Sequence, residues 1–198
     1  VRFIVKWWKN WRNEPVDLLE INVSCPNVKE GGIAIWTESS CTGSNHKRSK
    51  EIMQNSLIIM KLSPNVTDIT EMARAAEAGG ADILSLINTL TGMKIDIYRK
   101  TFALANKTGG MSGPAVKPVA VRMVYQVAQA VKLPIIGMGG IATAEDALEF
   151  IMAGATAVSV GTANFFNPYA TTEIVDGLAK FMEQQKVEDI NQLIGIVK

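Results

Sequence analysis

The residues with the most chemical potential in this chain are small or polar groups standing at the ends of apolar runs. Gly139 and Gly140 follow the run Leu133 to Gly137, and Gly161 and Thr162 close a second run that begins at Ala157. A turn without side chains leaves backbone N–H groups free to face an anion, and a helix starting beside it adds unpaired amides of its own. Two such turns, one helix apart and with a hydroxyl after the second, point to a phosphate cup. Glycines that only make tight turns are the plainer reading of the same residues. A second set surrounds Ser24-Cys25-Pro26-Asn27, with Asn22 just before it. Pro26 restricts Cys25 to an extended conformation, so its thiol stands on a loop at which Asn22 and Asn27 are also aimed. A thiol has a pKa of about 8.5 and acts as a base or nucleophile when ionised; as a lone residue it is also a small buried hydrophobe. Lys61 is charged inside the apolar run LIIMKL and has to snorkel or find an anion. Asn88 and Thr89 end another apolar run.

Strands must end where these groups stand. Asp17 to Val23, Leu57 to Leu62, Ile83 to Ile87, Leu133 to Gly137 and Ala157 to Gly161 each read as a strand, the last two as buried on both faces. Thr67 or Asp68 caps a helix over Ile69 to Ala78, which stops at Gly79-Gly80. A helix from Ala115 to about Val131 turns Val116, Val119, Ala120, Met123, Val124 and Val127 inward. Thr143 with Asp146 is a near-variant of the capping box, opening a helix that Gly154 can end. Thr171 to Met182 is amphipathic, and Val187 to Val197 reads as a final surface helix. Leu90 to Pro114 is too long for an ordinary connection. Within it Ile95 to Tyr98 and Thr101 to Ala105 suggest a small hairpin ahead of the glycine-rich Thr108 to Pro114, an insertion suited to covering a ligand or partner. Ile35 to Ser56 is expected to hold a crossover helix, although Gly43-Ser44-Asn45 interrupts it, and Cys41 and His46 receive no role. Residues 1 to 13 mix tryptophans with basic residues and read as a helix docking on a core or the remnant of an earlier strand–helix unit, with a membrane-surface helix the weaker alternative.

The chain has 198 residues, 47% apolar and 20% charged, with a net charge of +1, which is the composition of a single globular domain. The balanced charge gives no case for nucleic acid, and no run reaches the length of a membrane span. With no signal peptide at its start, a cytoplasmic address is expected. Two cysteines are too few for a disulfide framework and lack metal-ligand spacing. Strands alternating with helices, with polar groups at the carboxyl ends of the strands, predict an α/β fold of the (β/α)8 TIM-barrel type. A whole barrel takes about 250 residues, so this chain is expected to be its C-terminal part, about five βα units of one N-terminally incomplete domain over residues 1–198.

Six stretches, EINVSCPNVKEGG, MKLSPNVTDI, LINTLTG, ANKTGGMSGPAVKP, PIIGMGGI and SVGTANF, cover most of Val16 to Pro168. In type and order they resemble the dihydroorotate dehydrogenase family, class 1, most closely the NAD-linked 1B catalytic subunit. The resemblance implies oxidation of dihydroorotate to orotate, with hydride transfer to FMN, in pyrimidine biosynthesis. It implies Cys25 as the catalytic base, Asn22 in contact with both flavin and substrate, and Asn27, Asn88 and Thr89 holding the orotate ring and its carboxylate. Lys61, Ile87 and Gly113 would line the flavin, and Gly139, Gly140, Gly161 and Thr162 would cradle its phosphate. It further implies a homodimer within a heterotetramer whose electron-transfer subunit carries FAD and an iron–sulfur cluster. Family members begin with further strands that are not seen here, which agrees with a partial barrel. Another FMN-dependent barrel oxidoreductase, such as a dihydropyrimidine dehydrogenase, and an inactive flavin-binding fragment are the competing readings; orotate against uracil as bound product separates the first, and the yellow colour of retained flavin the second.

Overall fold

Alternation in the strands and three- or four-residue spacing in the helices put two kinds of surface on one sheet. The computed structural model describes residues 17–22 and 57–197; Cys25, Asn27, the aromatic segment before Val16 and the Ile35 to Ser56 connection lie outside them. In chain order the elements are β1 (Leu18–Asn22), β2 (Leu57–Lys61), α1 (Ile69–Ala78), β3 (Ile83–Leu86), β4 (Leu90–Met93), β5 (Ile95–Asp96), β6 (Thr101–Phe102), β7 (Thr108–Met111), α2 (Lys117–Ala130), β8 (Ile135–Met138), α3 (Ala144–Ala153), β9 (Ala157–Ser159), α4 (Ala163–Phe166) and α5 (Ala170–Gln185). β1, β2, β3, β8 and β9 pair in that order as one five-stranded sheet, and every pairing is parallel. The order never reverses. A doubly wound sheet changes direction at a switch point, whereas a barrel is wound one way, so this topology is that of a barrel wall.

Register divides the two faces. Met60 lies beside Leu84 and Leu84 beside Ile135, and these side chains pack under Ala73 and Ala76 of α1, Ala120, Val124 and Val127 of α2, and Ala147 and Phe150 of α3 in one buried cluster. On the other face Asn22 lies beside Lys61 and Lys61 beside Ser85. Because side chains alternate along a strand, Glu20 shares that face. One face therefore holds the helices, and the opposite face carries Glu20, Asn22, Lys61 and Ser85.

Local chemistry explains the helix ends. Asp68 caps α1, its carboxylate accepting from the Thr70 N–H at 2.8 Å, and Gly80 follows the helix at φ +83°. Thr143 and Asp146 form a complete capping box at α3, and Gly154 ends it at φ +120°. A single 3-10 turn, Pro114–Val116, leads into α2, with the expected inner residues buried except for Val119, which is half-buried. None of the helices among the described residues is long and apolar enough to cross a membrane.

Three expectations are corrected, and one pairing is new. Val187 to Val197 is not a helix: it holds a 3-10 turn, Ile190–Leu193, that Asp189 caps by accepting from the Asn191 N–H at 2.9 Å, and only Leu193 is buried. Within the glycine-rich Thr108 to Pro114, Thr108–Met111 pairs antiparallel with Leu90–Met93, a pairing that the sequence pattern does not announce. The Ile95–Asp96 and Thr101–Phe102 hairpin is shorter than predicted and lies between these two strands. The strand from Ala157 ends at Ser159, and its side chains are exposed or half-buried because it is the last strand of the sheet among the described residues.

Candidate functional site

The carboxyl ends of β2, β3, β8 and β9 open into one cleft of about 680 Å³, within the range of ligand pockets. Lys61 ends β2 on its wall. Ile87, Asn88 and Thr89 follow β3, Gly113 precedes the 3-10 turn, Gly139 and Gly140 follow β8, and Gly161 and Thr162 follow β9, all of them lining the same space. Asn22 joins them from β1, since Asn88 Nδ2 donates to Asn22 Oδ1 at 3.1 Å. Cys25 and Asn27 lie outside the described residues.

The glycines differ in what they do. Gly139 and Gly140 sit at φ +130° and +80°, and a Cβ on Gly140 would stand 2.7 Å from the Gly113 carbonyl oxygen and 2.9 Å from Lys117 Cβ. Packing alone requires glycine there. At Gly161 a Cβ would meet nothing within 4 Å, and no positive φ excludes one. Its missing side chain keeps the cleft itself open. Among the described residues, the backbone N–H groups of Gly140, Gly161, Thr162 and Ala163 reach no protein acceptor. Gly140, Thr162 and Ala163 are half-buried, and amides there without partners are costly unless water or a ligand supplies an oxygen; with the exposed Gly161 and the apolar Ile87, Met138 and Val160 they form a cradle that fits the phosphate and planar ring of a flavin nucleotide.

The start of α3 contributes less than its sequence implies. Ala142 and Thr143 donate their N–H groups to Asp146 Oδ2 at 2.9 and 3.0 Å, so these amides are already taken by a carboxylate. Lys117 Nζ donates to Asp146 Oδ1 and to Glu149 Oε1, both at 2.6 Å. Burial pulls the Asp146 carboxyl upward, but the bonds from Lys117 and the two amides outweigh it and hold the group below the usual carboxylate range. The bonds to Asp146 and then Glu149 raise the Lys117 ammonium above its usual value. The amides left without a protein acceptor among the described residues are consequently those of the Gly140 turn and the Gly161 to Ala163 segment.

Other polar residues of the wall are fixed by partners that the sequence did not point to. Lys61 Nζ donates to Glu20 Oε1 at 3.1 Å, and the Ser85 hydroxyl donates to Glu20 Oε2 at 2.9 Å. Asn65 Nδ2 donates to the Thr89 carbonyl at 3.0 Å and Asn65 Oδ1 accepts from the Thr91 N–H at 2.9 Å, which pins the chain after β3. Thr162 Oγ1 donates to Ser112 Oγ at 3.0 Å across the cleft mouth. Ser112, Phe165 and Phe166 also line the cleft. Glu20 could have been found as the residue two before Asn22 on the same strand face; nothing local singles out Ser112.

A family model described as dihydroorotate dehydrogenase matches residues 5–182. The chain is 69% identical over 185 residues to the dihydroorotate dehydrogenase B (NAD(+)) catalytic subunit of Lachnoclostridium phytofermentans, covering 93% of this chain and 61% of that protein. To the protein of the same name from Alkaliphilus oremlandii it is 58% identical over 180 residues, covering 91% of this chain and 59% of the relative. The chain thus spans about three fifths of the length of these relatives. Among solved structures, DHODH of Eimeria tenella in complex with ferulenol superposes with a TM-score of 0.77 at 23% identity, over 96% of this chain and 57% of the other. At that identity the likeness speaks for the fold alone.

Proposed function

The chain belongs to the dihydroorotate dehydrogenase family, and from that premise we propose that it carries the flavin- and substrate-facing part of an FMN-dependent enzyme that oxidises dihydroorotate to orotate in pyrimidine biosynthesis. The observation that supports this most directly is the cleft, in which open amides and the empty space at Gly161 stand on one side and the Lys61, Asn88 and Thr89 wall on the other. Gly139, Gly140, Gly161 and Thr162 hold the FMN phosphate, while Lys61, Ile87 and Gly113 line the ring. When bound, FMN supplies the acceptor for a hydride.

The remaining tasks fall to this chain's own residues. Oxidation removes a proton from C5 and a hydride from C6 of the ring, so a base must stand on the face opposite the hydride acceptor. Cys25 takes that proton as thiolate, and its ordinary pKa of about 8.5 makes the reaction faster as pH rises. Asn22, Asn27, Asn88 and Thr89 orient the ring, since amide side chains both donate and accept and so match its carbonyl and N–H groups. The Asn88 to Asn22 bond keeps two of these amides in register across β1 and β3.

The relatives are named catalytic subunits, and their name carries NAD(+). By extension this chain works with a separate electron-transfer subunit carrying FAD and an iron–sulfur cluster, as a homodimer within a heterotetramer in the cytoplasm. The test is Cys25→Ala in the flavin-loaded protein. Dihydroorotate oxidation falls by about 10²- to 10⁴-fold while the flavin absorbance is retained. Turnover at the parent rate would move the base elsewhere, and preferential binding of uracil over orotate would move the substrate.

A further inference from the structure

Among the described residues, Lys61 is the one charged residue lining the cleft, and it does not stand alone. Its ammonium donates to Glu20 Oε1 at 3.1 Å, and the other carboxylate oxygen of Glu20 accepts from the Ser85 hydroxyl at 2.9 Å. Ser85 is completely buried, so its hydroxyl gives the carboxylate a fixed anchor. The three residues come from three adjacent strands, with Lys61 registered between Asn22 and Ser85. Glu20 itself does not line the cleft. A carboxylate at this distance largely offsets the field that an ammonium exerts on whatever occupies the site, and a rigid anchor fixes where that ammonium points.

We propose that Glu20 is a positioning residue that holds the Lys61 ammonium at the cleft wall and offsets its charge, thereby setting how strongly the site favours reduced over oxidised flavin. This rests on the flavin reading above. A neutral flavin that accepts a hydride becomes an anion, so an unopposed cation beside it favours the reduced form. Glu20 tempers that preference. Its shorter homologue retains the charge but withdraws it from Lys61, and its amide isostere keeps the shape and loses the charge.

The experiment is a potentiometric titration of the bound flavin in the parent protein, in Glu20→Gln and in Glu20→Asp. Gln shifts the balance toward reduced flavin by about tenfold, which for a two-electron couple is about 30 mV more positive, and Asp shifts it less in the same direction. A role confined to joining strands would lower the melting temperature and leave the potential where it was. An unchanged potential in either flavin-loaded variant overturns the proposal, and so does loss of flavin from both, because Glu20 would then belong to the fold and not to the charge of the site. If Gln alone fails to fold, the Asp variant decides. A parent protein that takes up no flavin sinks the flavin reading itself, an outcome distinct from a flat potential in loaded protein.

Discussion

A methyl group on Gly161 would enter open space, whereas one on Gly140 would press on the Gly113 carbonyl at 2.7 Å from a backbone held at φ +80°. The two positions therefore separate ligand binding from folding. Gly161→Ala is expected to leave the melting temperature unchanged and to weaken FMN binding at least tenfold, about 1.4 kcal/mol; Gly140→Ala is expected to lower both. Fluorescence titration of flavin-free protein with FMN, beside a thermal melt of each variant, reads the difference. Normal FMN affinity in Gly161→Ala would remove Gly161 from the phosphate cradle. At this scale the sequence was informative about which residues matter and silent about why. Gly139, Gly140 and Gly161 were visible as side-chain-free turns, yet only packing distances distinguish a glycine required by its neighbours from one that keeps a cavity clear. Lys61 was visible as a charge needing a partner, and the partner, Glu20, comes from a strand 41 residues away.

The entry to α3 is the element that ties the cleft to its support. Asp146 receives two backbone N–H groups and the Lys117 ammonium, so α2 and α3 are joined where the Gly139-Gly140 turn passes between them. The carboxyl is held below its ordinary value, so its contribution to stability is complete above the carboxylate range of about 3.9 and is lost as pH falls through the depressed value. Lys117 is raised, so its share is complete below about 10.4 and is lost as pH rises through the elevated value. Asp146→Asn is expected to cost about 1 kcal/mol at neutral pH, the usual worth of a helix cap, with the deficit shrinking as pH falls below the ordinary carboxylate value of about 3.9. Urea midpoints measured from pH 3 to pH 8 test this; a deficit independent of pH would mean that the charge is irrelevant. Helix caps of this kind were legible because they depend on residues three apart. The pairing of Leu90–Met93 with Thr108–Met111 was not, since Gly92, Gly109 and Gly110 lack the β-branched side chains that mark strands. The final Val187 to Val197 stretch failed for a different reason: its apolar residues recur at helical spacing, but Asp189 starts a tight turn and Gly195 at φ +67° ends it.

Across the molecule, the core converges on Phe150, which is fully buried against β8 at Gly137. A Cβ on Gly137 would approach the Phe150 ring at 2.7 Å, so the absence of one lets the ring lie on the strand. Phe150→Ala is expected to cost about 3–5 kcal/mol, seen as a lower urea midpoint with a similar slope; a loss under 1 kcal/mol would show that the surrounding side chains close the space. The strand–helix alternation and the barrel type were legible because each unit repeats the same local pattern, whereas the edge exposure of β9 depends on what lies beyond it. The same one-directional winding has a bearing on how the chain is made. On the ribosome β2 emerges after β1, β3 after β2, β8 after β3 and β9 after β8, and each pairs with the strand of the sheet that came immediately before it. The excursion from β4 to β7 pairs only within itself and delays this succession without redirecting it. From β2 onward each new strand thus meets a template already synthesised, so this part of the sheet can lengthen in step with translation.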